Sequence, residues 1–290
     1  MKEIVVVSGK GGTGKTSVVA SLACLIKNKA MVDCDVDAAN LSLVLSPRVI
    51  EEEDFTAGKK ARIIPENCTQ CGVCRDMCRF DAISEDFIID PVACEGCGAC
   101  YFFCPAAAVA FEPTVVGRCY VCDTPTGDPF VYAELFPGEE NSGKLVTMVR
   151  TKAKEQAERA GLSRILTDGP PGIGCPVISS ITGTSLALVV TEPTGSGIHD
   201  LERVVQLARH FQIPSAVIIN KSDINPACAD NIEQYCIRNE VPLLGRLPYD
   251  STISEAQRQG KAIVEYAPDI PVSKAMREIS ERILSFYEEQ

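Results

Sequence analysis

Two cysteine runs carry the most specific chemistry in this chain. Cys68, Cys71, Cys74 and Cys78 are spaced x2, x2, x3, and Cys94, Cys97, Cys100 and Cys104 repeat that spacing, with Pro105 next. Four thiolates so placed can wrap a cubane iron–sulfur cluster, and where two such runs occur together the fourth cysteine of each ligates the other cluster. Structural zinc is the alternative, but zinc sites usually divide their cysteines into two C-x2-C pairs separated by roughly a dozen residues or more. The spacing therefore points to two [4Fe–4S] clusters. Cys68, Cys71, Cys74 and Cys104 would hold one, and Cys94, Cys97, Cys100 and Cys78 the other. Arg79, not proline, follows Cys78. A positive charge there would raise the potential of one cluster without removing a ligand.

A second constellation runs from Lys10 to Ser17 (Lys-Gly-Gly-Thr-Gly-Lys-Thr-Ser), between an apolar run and a helical pattern. Such a loop turns backbone N–H groups toward phosphate oxygens, and the helix start behind it adds a positive field. Gly11, Gly12, Thr13, Gly14, Lys15, Thr16 and Ser17 form the cradle. Lys15 is suited to the β- and γ-phosphates and the Thr16 hydroxyl to Mg²⁺. Three acids follow at Asp33, Asp35 and Asp37, with Asn40 beyond. A carboxylate there can orient attacking water or contact a water on Mg²⁺, while at least one of the three only caps the loop. Thr167 to Gly174 is an apolar strand end, Asp168, and a Gly/Pro turn, which suits Mg²⁺ binding through water. Asn220-Lys221-Ser222-Asp223 follows another apolar run and should face the base. It spells N-K-x-D, the pattern in which an acceptor-only carboxylate reads guanine.

With a second lysine, Lys10, opening the loop, these motifs resemble the MinD/ParA/nitrogenase iron protein class of P-loop ATPases. Over the whole length, including Glu140 to Val146, the chain resembles MinD-superfamily ATPases with an inserted two-cluster ferredoxin domain. The resemblance implies that Lys10 reaches the nucleotide of a facing subunit in a dimer sandwich, much as an arginine finger given in trans does. It implies Asp35 as the water-positioning residue, with Asp37 as the fallback, and Asn220 on adenine. ATP is thereby favoured and GTP not excluded. The partners it implies are a second copy or a related ATPase, and a redox protein.

The elements that must position these residues follow the same rhythm. Residues 3–8 read as a buried parallel strand, 14–27 as a helix, and Met31 to Asp33 as the end of a second strand. Leu41 to Leu45 is a short helix or turn. Glu51 to Asp54 reads as a solvated acidic linker. Residues 58–112 form the cysteine-rich unit, an internal repeat with short strands at Asp81 to Ile83 and Ala107 to Ala110. A hairpin is expected over 113–137, turning at Thr124 to Pro129. Helices near 143–160, 198–210, 226–238 and 271–287 then alternate with strands at 164–168, 186–190, 216–219 and 242–247. The expected fold is α/β: a doubly wound, mostly parallel P-loop sheet (1–57 and 113–290) with an inserted small α+β ferredoxin-like domain (58–112). Ligands in such sheets bind at the carboxyl ends of the strands.

The bulk composition narrows function further. The 290 residues are 46% hydrophobic and carry a formal charge of −11, which speaks against nucleic acid and anionic lipid as partners. The tail from Arg282 to Gln290 is short and ends acidic, unlike a basic amphipathic membrane anchor. The start reads directly into a strand rather than a secretory signal, so a reducing cytoplasmic setting is expected, where many cysteines mean metal. Eight of the 15 cysteines belong to the two runs. Cys119 and Cys122 form another C-x2-C, and Cys175 directly follows the Gly/Pro turn that ends at Gly174. They are either buried small hydrophobes or a labile, subunit-bridging or transferable cluster site, as in related Mrp-type carrier ATPases. The leading reading is an ATPase coupling nucleotide-driven motion to electron transfer through two clusters. A cluster carrier or assembly ATPase and a redox-sensing, MinD-like positioning ATPase are the alternatives.

Overall fold

The structure is a computed structural model that describes residues 1–288, with side chains through Ser285. The end of the acidic tail, residues 289 and 290, lies outside the described residues. The chain runs through β1 (Lys2–Ser8), α1 (Lys15–Leu25), β2 (Lys29–Asp33) and α2 (Leu41–Leu45). Next come β3 (Arg48–Ile63), α3 (Val73–Met77), α4 (Ala99–Phe102), β4 (Val109–Asp123) and β5 (Pro129–Leu135). The remainder is α5 (Ser142–Arg159), β6 (Arg164–Pro171), α6 (Cys175–Ile181), β7 (Leu186–Thr191), α7 (Gly195–His210), β8 (Ser215–Ile219), α8 (Pro226–Arg238), β9 (Leu243–Arg246), α9 (Thr252–Arg258), α10 (Ile263–Tyr266) and α11 (Pro271–Glu288).

Among the described residues the strands make one nine-stranded sheet in the order β3-β4-β5-β2-β6-β1-β7-β8-β9. From β5 to β9 every pairing is parallel. Both faces of the central strands are covered. Ile4 and Val6 pack into one apolar layer with Leu22, Met31 and Ile279. Val5 and Val7 pack into another with Ile181, Val204 and Ile232. Burial on both sides is why β1 reads as a continuous apolar run instead of an alternating one.

The chain divides into two compact units. One holds Met1–Glu52, Cys119–Glu134 and Ser142–Gln290; the other holds Glu53–Arg118 and Leu135–Asn141. The second unit contains the eight paired cysteines. Its repeat is visible in the backbone: Gly72 and Gly98 precede α3 and α4 with φ of 84° and 75°. Gln70 and Gly96 (φ 55° and 63°), and Asp81 and Ala107 (both 48°), take the same left-handed conformation at equivalent positions. Ala61, Ile63, Cys74, Ile83 and Val109 form its small core.

Three local expectations change. Glu51 to Asp54 is not a linker but part of the sixteen-residue strand β3. An edge strand has one pairing side only, and charged residues there block further pairing, so acidity does not disqualify it. In place of a strand at Asp81 to Ile83 there is a single antiparallel bridge, Ile83 to Ile89. Helices α6, α9 and α10 were not foreseen, because each is only four to seven residues long. The turn at 124–129 is present: Thr124 N–H donates to the Asp128 carbonyl at 3.1 Å between β4 and β5.

Candidate functional site

The phosphate loop sits between the carboxyl end of β1 and the start of α1. Gly14 takes φ 87°, and a Cβ there would stand 2.2 Å from Asn220 Nδ2, so this position admits only glycine. Val18 N–H bonds the Gly14 carbonyl at 3.1 Å and starts the helix. Gly11 to Ser17 line a cleft of about 620 Å³. Asp35, Asp37, Ala38 and Asn40 line it from the segment after β2, Pro170 and Pro171 from the end of β6, Pro176 from α6, and Gln257 from α9.

At the floor of the cleft Lys15 Nζ meets Asp168 Oδ1 at 2.6 Å and Asp35 Oδ2 at 3.7 Å. Burial pulls the Lys15 pKa down, but the Asp168 carboxylate outweighs it and holds the ammonium above its ordinary value. Asp33 and Asp168 are both 0% exposed and stand opposite each other on β2 and β6. Burial, then the charge of Asp168, raises Asp33 well above the carboxylate range. Burial also raises Asp35, against the pull of Lys15. One ammonium thus faces three carboxylates, and Asp168 Oδ2 is buried with no hydrogen-bond partner among the described residues. That shortage of positive charge and that orphaned oxygen fit a divalent cation held through Thr16, Asp168 and Asp35.

Lys10 folds back within its own chain. Its Nζ pairs with Glu192 Oε1 at 2.6 Å and donates to Ser196 Oγ at 3.1 Å. Glu192 also takes Lys221 Nζ at 3.2 Å, and Lys221 reaches the Gly12 carbonyl at 3.1 Å. Asn220 is buried: its Nδ2 donates to the Thr13 carbonyl at 2.8 Å and its Oδ1 accepts from Lys221 N–H. Asp223 Oδ1 accepts the Tyr249 N–H at 2.6 Å. The N-K-x-D motif therefore braces the phosphate loop and the segment after β9. Gln257, which donates to Ser17 Oγ at 2.9 Å, was missed by sequence reasoning; a lone glutamine on a short helix gives no signal.

In the cysteine-rich unit the thiols gather in two sets. Cys68, Cys71, Cys74 and Cys104 line one cavity with Ile63, Phe87 and Val109. Cys78, Cys94, Cys97 and Cys100 line another with Ala61, Phe80 and Ile83. Each cavity thus takes three thiols from one run and the fourth from the other. Burial raises the Cys74 thiol, with Cys68 and Cys104 adding to it; burial and Cys94 raise Cys100. Among the described residues no three His, Cys, Asp or Glu side chains converge on a position for a single metal ion. Four thiols lining one cavity are a donor set of the kind that fits an iron–sulfur cluster. Gly96 is fixed here by close approach, since a Cβ would lie 2.3 Å from the Lys59 carbonyl oxygen.

Cys119 and Cys122 are 1% and 0% exposed, and three residues apart on β4 they point to opposite faces. Cys122 joins the apolar layer with Met31 and Phe130, and burial pushes its thiol up to about 11. Cys175 is exposed and opens α6.

A family model described as the CobQ/CobB/MinD/ParA nucleotide binding domain matches residues 4–263. An uncharacterized protein of Methanocaldococcus jannaschii is 35% identical over 232 residues, 77% of this chain and 79% of that one. The iron-sulfur cluster carrier protein of Pyrococcus abyssi is 23% identical over 299 residues, 98% of this chain and 85% of that one. Among solved structures, the cell division ATPase MinD of Pyrococcus furiosus shares the fold with a TM-score of 0.59 at 22% identity, covering 98% of this chain and 99% of that one.

Proposed function

Since the chain belongs to the CobQ/CobB/MinD/ParA nucleotide-binding family, we propose that it hydrolyses ATP and carries iron–sulfur clusters on its cysteine-rich unit. The observation that carries this reading is the pair of cavities, each lined by four thiols drawn from both cysteine runs. Relatives named as iron–sulfur cluster carriers, alignable over nearly the whole chain, support the carrier role. Cys68, Cys71, Cys74 and Cys104 would hold one [4Fe–4S] cluster and Cys78, Cys94, Cys97 and Cys100 the other.

In hydrolysis Lys15 leaves Asp168 for the β- and γ-phosphates, and the loop amides of Gly11 to Thr16 hold the phosphate oxygens. Asp35 orients the attacking water. Thr16, Asp168 and Asp35, directly or through water, are the residues that would hold Mg²⁺, which neutralises phosphate charge when bound. Lys10 would exchange Glu192 for the nucleotide of a second copy in a dimer.

A second reading has one specific observation in its favour. Each thiol set is complete, with four cysteines and no open position, which suits clusters that stay in place and relay electrons. One experiment separates the two. The protein is reconstituted anaerobically and mixed with an apo [4Fe–4S] acceptor enzyme, with and without MgATP. Carriage requires about eight iron per chain at the start and nucleotide-dependent movement of iron into the acceptor. Full iron retention, with electrons passing to a viologen dye, would replace carriage with relay. Absence of iron after reconstitution would sink both.

A further inference from the structure

Asp33 is the one acid of its segment that does not line the cleft, and its contacts are specific. It ends β2 and is fully buried. Its Oδ1 accepts the N–H of Asp35 at 3.0 Å, and its Oδ2 accepts the N–H of Leu41, the first residue of α2, also at 3.0 Å. Those amides bracket the segment from both ends, and Asp35, Asp37, Ala38 and Asn40 between them line the cleft. Inside the segment there is a turn, Ala38 N–H to the Asp35 carbonyl at 2.9 Å; Cys34 N–H is held by the Asp168 carbonyl at 2.7 Å.

A carboxyl group, with an acceptor at each oxygen, fits this role. Both oxygens receive backbone donors, and asparagine would turn its own NH₂ toward one of them. The position is costly, because a buried carboxylate loses its hydration and here faces Asp168 across the strand pair. An acid that served only to fill space would be replaced at a gain by a neutral side chain.

We propose that Asp33 is a positioning residue for hydrolysis: a two-point clamp that closes the segment 34–41 and so aims Asp35 at the attacking water. This rests on the ATPase reading, in which Asp35 is the water-positioning group. Loss of alignment, with the phosphate loop intact, should lower turnover and leave nucleotide binding alone.

The test is Asp33→Asn in the full-length protein, measured for MgATP turnover, nucleotide affinity and residue-resolved amide exchange. Turnover should fall about a hundredfold, with affinity within about twofold of the parent. Exchange should quicken at Asp35 and Leu41 and stay unchanged in β1 and β6. Turnover within about twofold of the parent would overturn the clamp, as would equal losses of turnover and affinity with exchange at 35 and 41 unaltered. If Asp33→Asn does not fold, the parent protein decides: protected amides at Asp35 and Leu41 support the clamp, and rapid exchange at both removes it. A parent protein without ATPase activity would sink the ATPase reading itself, a result distinct from any of these.

Discussion

Single side chains in this protein hold one another in a ready but unengaged arrangement. Lys15 is taken by Asp168 and Asp35, and Lys10 and Lys221 share the carboxylate of Glu192. Burial would raise the Glu192 carboxyl, but the bonds from Lys10 and Lys221 outweigh it and hold it below the ordinary range. A carboxylate with a lowered folded pKa gives stability that is complete above its unfolded value of about 4.3 and is lost as pH falls through the folded value. Glu192→Gln should therefore lower Tm by roughly 2–4 °C at pH 7. The gap between variant and parent should close as the pH drops below about 4. A gap that persists at low pH would mean that the carboxylate charge is not what stabilises. At this scale the sequence was legible where spacing repeats: the cysteines and the phosphate loop stood out. The clamp by Asp33 and the brace by Asn220 were not, because both depend on backbone amides that no side-chain pattern reports.

At the scale of elements, strand geometry decides what a cysteine pair can do. C-x2-C on a helix or tight loop brings two thiols together; on β4 it sends Cys119 and Cys122 to opposite faces. Replacing both with serine should leave the iron content of the reconstituted protein unchanged. It should destabilise the fold by about 1–3 kcal/mol at position 122, where the serine hydroxyl would enter the apolar layer of Met31 and Phe130. Loss of iron in that variant, with the fold intact, would restore these two residues as ligands. Parallel strands and long helices were readable from their apolar runs. The acidic edge strand β3 was not, because composition reports solvation and pairing is a property of the neighbour, β4. Short α9 was equally silent, and with it Gln257.

For the molecule as a whole, the discontinuous layout is visible in the cysteine content, which shifts sharply after β3, although the compact unit of Glu53–Arg118 also takes in Leu135–Asn141, a segment with no cysteine to mark it. The crossed thiol sets give the sharpest prediction here. Cys104→Ser should erase the same electron paramagnetic resonance signal as Cys68→Ser and spare the one lost in Cys94→Ser. Cys78→Ser should erase the signal lost in Cys94→Ser. Pairing of Cys104 with the Cys94 signal instead would show that each run serves itself.

That crossing also sets an order of manufacture. A ribosome makes residues 68–78 well before 94–104, yet the first three thiols lack their fourth until Cys104 emerges, and Cys78 waits unmatched for the later run. Neither cavity is whole in a half-made chain, so a nascent first repeat would offer iron only a partial grip, and loading would become a late event of the finished unit.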